Sequence, residues 1–140
     1  MKELEQKVAS EVAENEFDQW ADAMDLDLDE SNMDAEDLAA YMKQKRRLIR
    51  QIEQGHLTFN DDGEAVYTPH NTKTKHDKPV VFHERTGAAL MASDGKKKNH
   101  HVSMMYAMMG DMCKVHPSVF AGMAGIDAKV CESLFNFLMD

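Results

Sequence analysis

The sequence predicts a mainly α protein with a small β-hairpin and sheet, ordered as an N-terminal helical pair, a short sheet and a C-terminal bundle of short helices. Three observations predict it. Apolar residues recur at helical spacing over residues 2–24 and again between the acidic stretch near residue 30 and Gly55. The period changes to alternation between Leu57 and Tyr67, and from Thr86 onward short helical patterns are punctuated by Gly and Pro. A chain of 140 residues, 43% hydrophobic and 29% charged, is large enough for one core and has the usual soluble mix. Residues 1–55 read as an acidic helical hairpin and residues 56–140 as the sheet with a C-terminal helical domain, the two forming one unit.

The first helix is expected over residues 2–24, with Leu4, Val8, Val12, Phe17, Trp20 and Met24 on its apolar side. Asp25-Leu26-Asp27-Leu28-Asp29-Glu30 interrupts it. Ser31 or Asn32 then caps a second helix whose first turn holds Asp34, Glu36 and Asp37, at the positive end of the dipole. Its apolar face is Leu38, Tyr41, Met42, Leu48, Ile49 and Ile52, its later turns carry Lys43, Lys45, Arg46, Arg47 and Arg50, and Gly55 ends it. Leu57 and Phe59 alternate with polar neighbours, residues 60–63 (Asn-Asp-Asp-Gly) supply a turn, and Ala65-Val66-Tyr67 returns, which is a β-hairpin. Pro69 closes it, residues 70–78 form a polar loop, and Pro79-Val80-Val81-Phe82-His83 adds a further short strand. Beyond that come a Thr86-capped helix over residues 87–92, a helix over 100–113, a Pro117-started piece with Val119, Phe120 and Met123 bounded by Gly122 and Gly125, and a final helix capped by Asp127.

Charge is unevenly placed. The overall −9 divides into 14 acidic and 2 basic side chains in residues 1–40, and a net of +4 in each of residues 41–58 and 71–101. Pairing of the two helices would set the acidic segment against the basic half of the second. Nucleic-acid binding rests on phosphate neutralisation, so −9 argues against it unless the basic segments form a separate face. No apolar run is long enough to span a membrane, and residues 1–5 lack the core of a signal peptide, so a soluble protein of the cell interior is expected. Cys113 and Cys131 read as reduced, buried thiols.

Candidate chemistry is sparse. Asp25, Asp27, Asp29 and Glu36 follow the ligand spacing of an EF-hand calcium loop, but Glu30 stands where that loop needs Gly and Asn32 where it needs an apolar residue. Cys113 and His116 have the spacing of half a zinc site, without a second close pair to complete it. Ser103 and Ser118 neighbour histidines in sequence only, and no nucleophile elbow or phosphate loop appears. The expectation is a non-enzyme with no catalytic residue, metal or cofactor. Met104, Met105, Met108, Met109 and Met112 are more informative, because at 100° per residue they cover about 140° of one helical face. That face is either a soft core helix or an adaptable groove for a partner helix. Phe135, Phe137 and Leu138, in a terminal helix apolar around much of its circumference, form the second candidate contact for a partner or another copy.

Val80-Val81-Phe82-His83-Glu84-Arg85-Thr86-Gly87-Ala88-Ala89-Leu90, followed by a short helix, the Met-rich helix, the Pro-started segment and the Asp-preceded terminal helix, resembles tail assembly chaperones of long-tailed bacteriophages over about residues 79–140. The resemblance implies a protein that binds the tape measure protein, helps recruit tail tube protein subunits, self-associates, works in the cytoplasm of the bacterial host and is absent from the mature virion. Two rival readings stay open: an acidic, nucleic-acid-mimicking inhibitor of a host defence protein, and an EF-hand-like calcium-binding protein.

Overall fold

Ala13, Phe17, Trp20 and Ala21 recur at i, i+4, i+7 and i+8, and they are the residues that helix α1 (Ser10–Ala23) buries. The computed structural model describes residues 9–26, 30–70, 78–83 and 101–139. Val12, expected on the apolar side, is instead half exposed, because the buried stripe runs through Ala13. Leu4 and Val8 lie outside the described residues, as do Asp27 and Asp29, the middle of the EF-hand-like spacing.

A 3-10 turn (Glu30–Asn32) leads into α2 (Ala35–Glu53). The cap is neither Ser31 nor Asn32. Asp34 takes the extended cap conformation, and its Oδ1 accepts from the Asp37 N–H at 2.8 Å. Tyr41, Leu48 and Ile52 are buried as expected, together with Gln51, whereas Met42 stays exposed. Gly55 ends the helix in the left-handed region at φ 80°, with His56 N–H reaching Gln51 O at 3.0 Å across the turn.

The next strands, β1 (Leu57–Phe59), β2 (Ala65–Tyr67) and β3 (Val80–Phe82), make an antiparallel sheet in the order β1-β2-β3. Leu57 pairs with Tyr67 and Phe59 with Ala65, while Ala65 and Tyr67 also pair with Phe82 and Val80. Asn60 explains the turn. Its Oδ1 accepts from the N–H groups of Asp62 and Glu64, and Gly63 supplies the positive φ of 79° that closes the loop. Residues 71–77 and 84–100, where the polar loop and the Thr86-capped helix are expected, fall outside the described residues.

Helix α3 (His101–Cys113) ends against α4 (Ser118–Ala121), and α5 (Gly125–Leu138) closes the chain. A Cβ on Gly110 would sit 2.7 Å from Val115 O, so only Gly lets the turn after α3 fold back this tightly. Gly125 begins α5 rather than bounding α4, and Asp127 is not the cap; Ala124 is, without a side-chain bond. Helix α2 packs on α1, β1 and α5, while α3 packs on β3 and α4, and α4 on α5. One contiguous apolar cluster runs from Ala13 through Tyr67 and Phe82 to Leu138. The expected mainly α architecture with a small sheet is therefore present, and both halves of the chain share its core.

The α1–α2 contact is apolar rather than ionic. Among the described residues no ion pair joins the two helices; Lys45 Nζ instead lies over the rings of Phe17 (5.7 Å) and Tyr41 (5.9 Å).

Candidate functional site

The eight residues expected to face a partner divide sharply. Phe135, Phe137 and Leu138 are buried, as are Met109 and Met112. Phe137 is the hub of an aromatic cluster, with ring centroids 5.4 Å from Phe17, 5.8 Å from Tyr41 and 6.4 Å from Trp20. The broad apolar face of α5 has a structural cause: it lies against the cluster, while Ile126, Lys129 and Asn136 form the exposed stripe of the helix. These five residues belong to the core of this fold. Met105 and Met108 are half-buried at the rim of the core, Met104 is half-buried beside them in sequence, and Val102 in the first turn of α3 is 57% exposed.

Both thiols are buried. Burial pushes the Cys113 thiol far above its ordinary value and does the same to Cys131, which disfavours the reactive thiolate. His116 is exposed and serves a local purpose: from the position before the Pro117 cap, its Nδ1 accepts the Ser118 N–H (3.1 Å) at the start of α4 and lies 2.9 Å from Ser118 Oγ.

Two polar constellations were not legible as sites. The first is a buried network under the first turn of α5. Asp127, 1% exposed, accepts at Oδ1 from Tyr67 OH (2.7 Å) and His70 N–H (2.8 Å). The His70 ring donates from Nε2 to Oε1 of buried Gln51, and stacks on His56 at 3.6 Å between centroids, 18° from parallel. Burial, reinforced by repulsion from His56, lowers the His70 pKa against a smaller opposing effect of Asp127. Burial and the Asp127 bond together raise the Tyr67 phenol far above its usual range, which keeps it a donor.

The second constellation is a basic groove of about 610 Å³ between α2 and the start of α5. Lys43, Arg46, Arg47 and Arg50 come from α2 and Lys129 from α5, with Gln51 at the floor. Positions 43, 46, 47 and 50 share one stripe of α2, opposite the buried stripe of Tyr41, Leu48 and Ile52. Arg47 is oriented by its Nη1 donating to Ser133 Oγ at 2.9 Å. Sequence periodicity could have separated this stripe from Lys45, which falls on the aromatic side; it could not supply Lys129 and the α5 terminus, some 80 residues away. A second groove, about 540 Å³, lies between α1 and the hairpin, with Trp20 and Phe59 in its wall.

No helix among the described residues is long and apolar enough to cross a membrane. No family model matches the sequence, and no curated protein or solved structure matches it.

Proposed function

We propose that this protein is a non-enzymatic assembly chaperone of the phage-tail kind, which binds the tape measure protein and helps recruit tail tube subunits in the host cytoplasm, leaving before the virion is complete. The observation that supports this reading is the beginning of α3, where exposed Val102 lies one turn before half-buried Met105, with half-buried Met104 and Met108 further round the helix. Thioethers at the rim of a core repack at low cost, so such an edge suits an apolar helical client better than a rigid aliphatic patch does. The client contact is thereby narrowed from eight residues to the rim of α3.

The test is co-purification with tape measure protein, using Val102→Asp and Met104→Asp separately. Both side chains lie outside the buried core, so the variants should keep the native melting profile and lose the client. Undiminished capture by a folded Val102→Asp, Met104→Asp pair would sink the proposal.

One observation favours a second reading, an acidic mimic of nucleic acid that occupies a basic site on a defence protein. Glu11, Glu14, Asp18 and Asp22 are all exposed along α1. Neutralising the four as Gln or Asn should abolish inhibition of such a protein; inhibition that survives counts against the mimic.

A further inference from the structure

We propose that the groove between α2 and the first turn of α5 is a binding site for a compact polyanion, a chain of adjacent phosphates such as inorganic polyphosphate or the phosphate end of a nucleotide. Lys43, Arg46, Arg47, Arg50 and Lys129 line it, and none of the lining residues is acidic. In a protein of net charge −9, five cations gathered around about 610 Å³ repel one another, and an anion between them relieves that repulsion.

The start of α5 adds to this field. Its cap residue, Ala124, offers no side chain to the first backbone N–H groups, and the positive end of a 14-residue helix opens on the groove. A Cβ placed on Gly125 meets nothing within 4 Å, so the approach to those N–H groups is clear. The carboxylate of Asp127, in the same turn, is turned inward to Tyr67 and His70. Arg47 is held in place by Ser133, and Gln51 is fixed beneath the groove by His70, so two of its lining side chains are oriented before any ligand arrives.

Phosphate chemistry fits better than carboxylate chemistry. Three guanidinium forks match phosphate oxygens in pairs, and a di- or triphosphate concentrates several charges in the volume available, whereas carboxylates along a peptide are spaced apart. A long nucleic acid fits less well, because the exposed carboxylates of α1 add to a net charge that repels an extended polyanion. The site is separate from the α3 rim and stands or falls independently of the chaperone reading.

Calorimetry with inorganic tripolyphosphate, on the full chain at low salt, tests the proposal. The expected result is one site per chain, weakened by added salt and weakened about tenfold or more by Arg50→Glu. Gly125→Asp is the second variant. It places a carboxylate at an unobstructed helix start, where it should leave the fold intact or stabilise it while abolishing binding. A nucleoside triphosphate binding more tightly than tripolyphosphate assigns the source to nucleotides, and equal binding assigns it to inorganic polyphosphate. The proposal is overturned if millimolar tripolyphosphate gives no heat, if both variants bind undiminished, or if polyglutamate or a single-stranded oligonucleotide binds more tightly than tripolyphosphate.

Discussion

The two ends of α5 are held by opposite physics. At its start Asp127 is fixed by hydrogen bonds from Tyr67 and His70, which are directional and specify one geometry. At its finish Phe137 is held by ring contacts with Phe17, Trp20 and Tyr41, which are larger in energy and tolerant in direction. One end therefore sets how α5 is seated on the sheet, and the other joins the sheet-bearing half of the chain to the N-terminal helices. Truncating the apolar end should be the more damaging. Phe137→Ala is expected to cost about 3–5 kcal/mol of stability by urea unfolding, since the surrounding rings come from two other helices and cannot close the cavity together. A loss below about 1 kcal/mol would show that the aromatic cluster is not what binds the two halves.

The polar end should respond less, and in a way that depends on what is left unsatisfied. Asp127→Ala leaves the buried Tyr67 hydroxyl and the His70 N–H without this acceptor, for an expected cost of about 2–3 kcal/mol. Adding Tyr67→Phe to that variant should recover part of the loss, because the orphaned donor is then gone. An additive double mutant, measured in the same unfolding series, would mean that Tyr67 and Asp127 do not act as a pair.

This contrast also marks what was legible in the sequence. Periodicity located all five described helices and the hairpin, because Phe17, Trp20, Leu48 and Ile52 repeat at helical spacing and Leu57 and Phe59 alternate. It misassigned polar residues whose roles are tertiary. Asp127 has the residue type of a helix cap but sits inside the first turn, and its partners come from residues 67 and 70, which no local pattern relates to it. The cap expected at Ser31 or Asn32 falls two or three residues later, at Asp34, since all three have capping side chains and only backbone conformation selects among them. The apolar residues at the end of α5 were legible as apolar, yet periodicity alone does not distinguish a central helix from a contact surface. The groove was half legible: four cations on α2 form a stripe, while the opposing wall depends on how α5 packs.

Acid should weaken the polar end selectively. His70 has a folded pKa below its unfolded value, chiefly from burial and then from His56. The unfolded chain therefore takes up the proton first as pH falls below about 6.5. Stability from neutral His70 is fully present above that value and is lost as pH falls towards the folded pKa. The melting temperature should fall between pH 7 and pH 5, and less steeply in His56→Ala, where the repulsion between the stacked rings is absent. An unchanged slope in that variant would remove the ring pair as its cause.

Ser133, between the two ends, is expected to give the smallest effect and to show which kind of physics reaches the middle of α5. It is buried, but its bond from Arg47 is shared with a half-buried guanidinium on the edge of the basic groove. Ser133→Ala removes one charge-assisted bond, and the released guanidinium can turn to water, so the cost should be about 0.5–1.5 kcal/mol. Arg47→Ala should cost more than Ser133→Ala if the arginine stem contributes packing, and less if relief of repulsion from Lys43, Arg46 and Arg50 outweighs that packing. Raising the salt separates the two contributions, because salt screens the repulsion and leaves the packing unchanged. If the cost of Arg47→Ala grows with salt, repulsion among the groove cations is a real term in the folded state. A cost that does not move with salt would assign Arg47 to packing and its Ser133 bond, and would align the middle of α5 with its apolar end.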